Sequence, residues 1–331
     1  MDRIGVAFTG GGMSPHDVVR CVQLAEELGY DSAWVAEGHG GDQFSILTAC
    51  ALATSRIQLG TSISSVFVRS APTIAMAAAC VDHYSHGRFI LGLGSSHRVQ
   101  VGPEHGLEFS APIPRVRDTI DVVRSLLRDG KLVDYQGEVT SIETFDLHFP
   151  VLRPELPIYL AAVFPKMLGI AGEISQGVLL TWCTPEYARI AAQYVAEGAA
   201  GVGADPASVE MATLLSVAAP GAGDGGMRRV AATYAGRFPR YRRLMSEAGF
   251  ADEVEMVRRA WREGEIGQAE QLVPDGLIDR MSLPSDPGER RERLAEYREG
   301  GITLPIIAPR VSGPNAAESA QEIIRANAPA T

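Results

Sequence analysis

The run RIQLGTSI at residues 56–63 is separated by a helical run from GRFILGLGSS at residues 87–96. Each run is strand-like, and its tip contains small polar residues, which are Thr61 and Ser62 in the first run and Ser95 and Ser96 in the second. This order predicts a β-α-β unit with two parallel strands. In parallel α/β proteins the loops at the carboxyl ends of the strands converge, and ligands bind there. The two ends therefore predict a place where a flat ligand can lie against the backbone.

The same alternation of strand and helix patterns continues along all 331 residues. Two predicted helices begin with a capping residue and a proline, at Ser14-Pro15 and Thr184-Pro185, as helices commonly do. The strand-like runs occupy residues 4–8, 32–36, 57–63, 89–93, 157–161, 178–181, 209–217 and 302–307. Eight strands that alternate with helices predict an α/β fold of the (β/α)8 or TIM barrel type, with residues 1–331 forming one domain.

Two longer segments depart from this alternation. After the fourth strand, residues 99–112 predict a loop, residues 116–128 an amphipathic helix, and residues 132–149 an extended, turn-rich segment. Before the eighth strand, residues 224–300 are charged and helical in pattern. Long excursions from a barrel commonly form lids or oligomer contacts. We therefore expect these two insertions to shape substrate selection.

A doubly wound open sheet is the alternative architecture. Its dinucleotide site requires a GxGxxG pattern between a strand and a helix. The loops that could carry this pattern are GGGMSP at residues 10–15 and GLGSSH at residues 92–97, and both lack the third glycine. The sequence therefore favours the barrel.

The overall charge restricts the class of partner. Acidic residues outnumber basic ones by 40 to 30, the formal net charge is −10, and no block of positive residues occurs. This balance argues against nucleic acid or an anionic membrane as a partner, and solubility is its simplest explanation. The chain enters its first strand without a basic and apolar leader, which predicts no secretion signal and a cytoplasmic location.

The cysteines and histidines predict neither disulfides nor a metal site. The four cysteines lie far apart without CxxC spacing, and they are Cys21, Cys50, Cys80 and Cys183. We expect reduced thiols in the core. The histidines are scattered, with no HxH or HExxH spacing.

Five short motifs occur in barrel order along the chain. They are DSAWVAE at residues 31–37, ATSRIQLGT at 53–61, GRFILGLG at 87–94, PIYLAAVFPKM at 157–167, and the segment from AGE to Trp182 at 171–182. Through these motifs the chain resembles the luciferase-like oxidoreductases, and within them the methylenetetrahydromethanopterin reductase-like branch that uses the deazaflavin coenzyme F420. The resemblance extends over nearly the whole chain and implies the same barrel.

The resemblance implies a place for the deazaflavin. In relatives of this type the third strand carries a non-proline cis peptide beneath the ring, and the matching bond here is Ser62-Ile63. An ordinary trans strand end is the alternative, and it would count against this cofactor. Ser64 continues the same strand end, while Thr9 and Ser96 line the mouth from the first and fourth strands.

Three residues are candidates for catalysis. The resemblance implies that Glu37, at the end of the second strand, accepts a hydrogen bond from the polar edge of the deazaflavin; a solvated loop acid is the alternative. Several relatives have a histidine directly after this acid, whereas here Gly38 intervenes before His39. His97 follows the fourth strand, and an imidazole that titrates near neutrality can deliver a proton. Both histidines are proton-transfer candidates, with an exposed loop position as the alternative.

The resemblance also implies a site for the cofactor phosphate after the fifth strand. In relatives, backbone N–H groups at a helix N-terminus hold this phosphate. The matching residues are Ala162, Val163 and Phe164, and many relatives have glycine at one or both of the last two positions. Thr181 and Trp182 lie beside them at the end of the sixth strand.

An acidic cofactor tail needs cations, and the chain has only two lysines, Lys131 and Lys166. The sequence therefore predicts that arginines supply most of the charge, with Arg69 and Arg98 as candidates.

Three functions are compatible with these features. The first is an F420-dependent oxidoreductase that transfers a hydride between the deazaflavin and a small organic substrate. The second is an FMN-dependent monooxygenase on the same barrel. The third is a barrel that binds a cofactor without catalysis. The resemblance further implies a homodimer.

Overall fold

The strands and helices of the chain come from a computed structural model that describes residues 3–219 and 225–329. The strands are β1 Gly5–Phe8, β2 Ser32–Val35, β3 Gln58–Thr61, β4 Ser64–Ser65, β5 Phe89–Gly94, β6 Lys131–Gln136, β7 Ser141–Asp146, β8 Ile158–Ala161, β9 Gly177–Thr181, β10 Glu210–Val217 and β11 Leu304–Pro309. The helices are α1 Pro15–Glu27, α2 Gln43–Ala53, α3 Ala71–Tyr84, α4 Arg98–His105, α5 Pro112–Asp129, α6 Pro165–Ile174, α7 Pro185–Gly201, α8 Gly225–Arg237, α9 Pro239–Met245, α10 Ala251–Arg262, α11 Ile266–Gln271, α12 Asp275–Met281, α13 Pro287–Glu299 and α14 Ala316–Ala326. A 3₁₀ turn at Pro206–Ser208 and a π-helical turn at Ser246–Phe250 lie between them.

Eight parallel strands close into a barrel. Their order is β3-β2-β1-β11-β10-β9-β8-β5, and β5 pairs back to β3. The short β4 continues β3 and pairs with β5, where Ser64 lies opposite Leu93. The Ser62–Ile63 peptide between β3 and β4 is cis, as the resemblance implies. The TIM barrel prediction is confirmed.

The barrel interior is filled by aromatic and aliphatic side chains. Trp34 and Tyr159 meet there with ring centroids 5.6 Å apart. A Cβ atom at Gly60 would lie 2.3 Å from the Trp34 ring, and one at Gly92 would lie 1.8 Å from the carbonyl oxygen of Thr61. These two glycines lie within the strands, before the small residues at the strand ends, and they make room for the protein's own atoms.

Two further cores lie outside the barrel. The larger one packs the outer faces of the strands against helices such as α1, α2, α3, α5 and α7. The smaller one joins the helices between β10 and β11, and it contains Met227, Ala231, Val257 and Leu277. The helical insertion therefore has a hydrophobic core of its own beside the end of β9.

The extra segments differ in part from the sequence prediction. Residues 132–149 include the antiparallel hairpin β6-β7, and residues 225–300 are largely helical, while residue 224 lies outside the described part. The predicted loop at 99–112 was wrong for its first half, because α4 occupies Arg98–His105. Cys21, Cys50 and Cys183 are buried free thiols as predicted, but Cys80 is exposed on α3.

None of the helices within the described ranges combines the length and the hydropathy needed to cross a membrane.

Candidate active site

Two adjoining cavities of about 250 and 260 Å³ lie at the carboxyl ends of the barrel strands. The first, called the α6 cavity, reaches the N-terminus of α6 at Phe164 and Lys166. The second, called the Arg310 cavity, reaches Thr9, Glu37 and Arg310. The residues that line both are Ile63, Ser96, His97, Ala161, Leu179, Thr181 and Tyr241. This position agrees with the rule that ligand sites of barrels lie at this end.

The wall shared by the two cavities has an apolar part, and serines lie next to it. Ile63, Ala161 and Leu179 are its apolar members. The hydroxyls of Ser62 and Ser64 are buried and have no hydrogen-bond partner among the described residues. Ser62 lines the Arg310 cavity, whereas Ser64 is fully buried and lines neither cavity. The shared wall thus offers apolar side chains with at least one unbonded hydroxyl beside them.

Glu37 holds the backbone around this wall. Its carboxylate accepts hydrogen bonds from the Ser65 N–H at 2.8 Å and from the guanidinium of Arg69. Arg69 also bonds the carboxylate of Asp42, which caps α2, and it lies 5.1 Å from the centroid of the Phe44 ring. Arg69 is therefore occupied by neighbouring side chains and does not line either cavity.

His97 lines both cavities from the N-terminus of α4. Its ring centroid lies 4.9 Å from that of Phe238 and 5.0 Å from that of Tyr241. Burial, with a smaller contribution from the charge of Arg240, lowers the pKa of His97 to about 4. Both effects disfavour the protonated imidazole, so we expect His97 to be neutral at pH 7.

His39 lies at the rim of the Arg310 cavity, with 78% of its side chain exposed. Its Nε2 atom is 3.2 Å from a carboxylate oxygen of Glu104, which also pairs with Arg237 at the end of α8. Of the two candidate histidines, His97 is the more enclosed. His39 instead links the loop after β2 to α4 and α8.

The predicted phosphate site is the N-terminus of α6. Ala162, Val163 and Phe164 line the α6 cavity, and no side chain caps the helix. Phe164 is extended, with φ −131° and ψ 153°, so the backbone here does not require glycine. Lys166 and Arg240 line the same cavity and add positive charge.

Trp182 lies behind the site rather than in it. It has a left-handed backbone with φ 53°, its side chain is buried, and it lines neither of the two cavities. Its ring packs on Tyr234 at 4.7 Å between centroids. Trp182, which the sequence predicted to contact the cofactor, therefore packs behind Tyr234 and supports that ring.

The sequence reasoning missed the residues that the helical insertion brings to the site. Tyr234, Phe238, Arg240 and Tyr241 come from α8, α9 and the turn between them. The aromatics at positions 234, 238 and 241 have helical spacing, which was the available signal. Arg310 directly follows β11, so the strand-end rule could have identified it. Arg98, by contrast, is exposed and lies over the Phe109 ring.

Comparisons with known proteins agree with this architecture. The model of the luciferase-like monooxygenase family matches residues 1–304. A putative coenzyme F420-dependent oxidoreductase of Mycobacterium tuberculosis is 29% identical over 322 residues, which cover 90% of this chain and 92% of the relative. A 5,10-methylenetetrahydromethanopterin reductase of Archaeoglobus fulgidus is 28% identical over 329 residues, which cover 97% of each chain.

A solved structure shows the same fold. The coenzyme F420-dependent tetrahydromethanopterin reductase of Methanopyrus kandleri superposes with a TM-score of 0.85 at 23% identity, over 98% of this chain and 97% of that one. The relatives named here are oxidoreductases. The chain belongs to the luciferase-like monooxygenase family.

Proposed function

We propose that the protein is an F420-dependent oxidoreductase that transfers a hydride between the deazaflavin and a small organic substrate. The observation that carries this proposal is the pair of adjoining cavities, which share the apolar residues Ile63, Ala161 and Leu179, and of which one reaches the uncapped, positively charged N-terminus of α6. A flat ring with a phosphate-bearing tail fits this arrangement. The relatives whose names include coenzyme F420 support the same cofactor.

The residues present suit each part of this cofactor. Ile63, Ala161 and Leu179 supply an apolar surface for the ring. The free N–H groups at the start of α6, with the charges of Lys166 and Arg240, suit a phosphate. When bound, coenzyme F420 supplies a ring that accepts or donates a hydride.

The protein's own part is to bind, orient and hold protons. The neutral imidazole of His97 presents one N–H donor and one acceptor nitrogen to the site. Glu37 fixes the backbone at Ser65 through a hydrogen bond, and so keeps the wall at Ile63 in place. The rings of Phe238 and Tyr241 pack against His97 and shield part of it from water. Positioning of this kind is the main contribution of a protein whose cofactor carries the chemistry.

The alternative is an FMN-dependent monooxygenase, which the family's description favours. A flavin ring fits the same cavities, so measurements of binding must distinguish between the two cofactors. We would titrate the protein with F420 and with FMN and follow the absorbance and fluorescence of each. Micromolar binding of F420 supports the proposal. Tight binding and turnover with reduced FMN, without binding of F420, would overturn it, and failure of both to bind would favour a barrel without catalysis.

We also propose a cytoplasmic enzyme that forms a homodimer. The dimer is an expectation from the family, and light scattering coupled to gel filtration tests it. A monomer at micromolar concentration would contradict it.

A further inference from the structure

Arg310 is a cation in the site without an acidic partner. Its Nε donates to the Ser216 hydroxyl at 2.8 Å and its Nη1 to the Thr9 hydroxyl at 3.2 Å. No carboxylate among the described residues pairs with it, although the chain has 40 acidic residues for 30 basic ones. Both bonds to neutral hydroxyls hold the guanidinium in place without neutralising it. Arg310 is therefore fixed at the cavity with its charge available to a ligand.

A wall of aromatic rings lines the same cavity. Tyr234 lies 4.8 Å from Tyr241 and 5.2 Å from Phe238 between ring centroids, and His97 completes the wall. The hydroxyls of Tyr234 and Tyr241 make no hydrogen bond to another residue within ranges 3–219 and 225–329. A wall of this kind stacks against a planar ring and offers hydroxyl donors at its edge.

The charge of Arg310 reaches this wall. Burial raises the pKa of Tyr241, so its hydroxyl stays protonated, while the charges of Arg240 and Arg310 oppose that rise. Arg310 thus acts electrostatically on the Tyr241 hydroxyl. One cavity therefore combines a fixed cation, a cluster of aromatic rings and unbonded hydroxyls.

We propose that the Arg310 cavity selects the second reactant and that this reactant is a small planar ring compound bearing a carboxylate or phosphate group. Arg310 binds the anionic oxygens, because a guanidinium forms charge-assisted bonds to them. The aromatic wall contacts the ring. The proposal rests on the proposed function, in which the cofactor takes the shared wall and the α6 cavity.

The cofactor's own phosphate does not account for Arg310. Lys166, Arg240 and the start of α6 line the α6 cavity, whereas Arg310 lines only the other one. The Arg310 cavity has a volume of about 260 Å³, which suits a single ring with one substituent better than a second large cofactor.

The test compares three probes of similar shape. Benzoate, phenyl phosphate and the neutral benzamide are titrated by calorimetry into the full chain, with and without saturating cofactor. We expect benzoate or phenyl phosphate to bind at least about tenfold more tightly than benzamide. The tighter of the two anions identifies the carboxylate or the phosphate as the preferred group. Equal binding of all three, or no binding of any at millimolar concentration, overturns the proposal.

Two variants assign the preference to Arg310. Arg310→Met should abolish the preference for the anion, and Arg310→Lys should retain part of it because the charge remains. Arg128→Met, which changes an exposed arginine at the end of α5, is the control and should leave the preference unchanged. A preference that persists in Arg310→Met, with an unchanged melting temperature, contradicts the proposal.

The outcome separates this inference from the proposed function. If F420 binds but the anion preference does not depend on Arg310, the inference fails and the function stands. If the preference depends on Arg310 but F420 does not bind, the cofactor assignment fails and the anion site stands.

Discussion

The two ends of the barrel both contain arginines and cavities, but they use the arginines differently. The N-terminal end has the larger cavity, about 500 Å³, lined by Arg3, Arg88 and Arg153. Arg3 pairs with Asp31 and Glu210, and Arg153 pairs with the buried Asp82. At the C-terminal end, Arg69 pairs with Glu37 and Asp42, whereas the two arginines that line the cavities, Arg240 and Arg310, hydrogen-bond only hydroxyls among the described residues.

Arg88 makes the contrast clearest, because it pairs with no carboxylate among the described residues and its donors are still satisfied. Its donors bond Ser85, Thr54, Ile57 and Ala51, mostly through backbone carbonyls. At the N-terminal end, the arginines that line the cavity are paired or hydrogen-bonded within the protein, which serves stability. At the C-terminal end, the arginines that line the cavities keep donors without an acceptor among the described residues, which serves binding. Unused bonding capacity therefore identifies the ligand end better than cavity volume does.

The largest expected effect is a loss of stability at the N-terminal end. Asp82 is almost fully buried and pairs with Arg153. Asp82→Asn leaves that guanidinium without its counter-charge, so we expect the free energy of unfolding to fall by about 3 kcal/mol. Urea denaturation measures it. The comparison variant is Arg310→Met, which should change stability by less than about 1 kcal/mol; equal losses would show that the two ends do not differ.

The next effect concerns the acid sensitivity that His97 confers. Its folded pKa, about 4, lies below the ordinary value of 6.5, so the unfolded chain takes up the proton first as the pH falls. Stability is unaffected above the unfolded pKa and is lost between the two values. When the pH falls from 7 to about 5, the free energy of unfolding of His97→Asn should decrease by about 2 kcal/mol less than that of the wild type.

Urea unfolding at several pH values checks this, with the exposed His39→Asn as the control. An identical acid response of wild type and His97→Asn would contradict a buried, neutral imidazole.

The smallest effect is on cofactor affinity. Arg240→Gln removes a charge from the α6 cavity, and we expect about tenfold weaker binding of F420, equivalent to about 1.4 kcal/mol. Arg128→Gln is the control, because Arg128 is exposed on α5 and already pairs with Asp129. Fluorescence titration measures both variants. If Arg128→Gln weakens binding as much as Arg240→Gln, the effect does not depend on the charge at the cavity.

The barrel could be predicted from the sequence because local patterns determine it. Strand and helix alternation follows from residue periodicity, and ligand sites lie at strand ends. Ser62, Ser96 and Thr181 lie at the mouth for that reason. The cis peptide bond at Ser62–Ile63 was predicted from the family resemblance and not from the local pattern.

The rest depends on contacts between distant parts of the chain. The neutrality of His97 arises from the burial of its ring and from Arg240, which the helical insertion carries. The packing role of Gly60 depends on the strand register that places Trp34 opposite it. Trp182 turns away from the mouth because its backbone is left-handed, which no local pattern indicated.

The separate core of the helical insertion has an evolutionary consequence. Residues such as Ala231 and Val257 hold α8 and α10 together without contributing to the barrel core, and α8 carries Tyr234. Repacking of these helices can move the aromatic wall while the strands keep their packing. The aromatic wall and the barrel core are therefore encoded in different positions, so evolution can alter the wall without changing the packing of the strands.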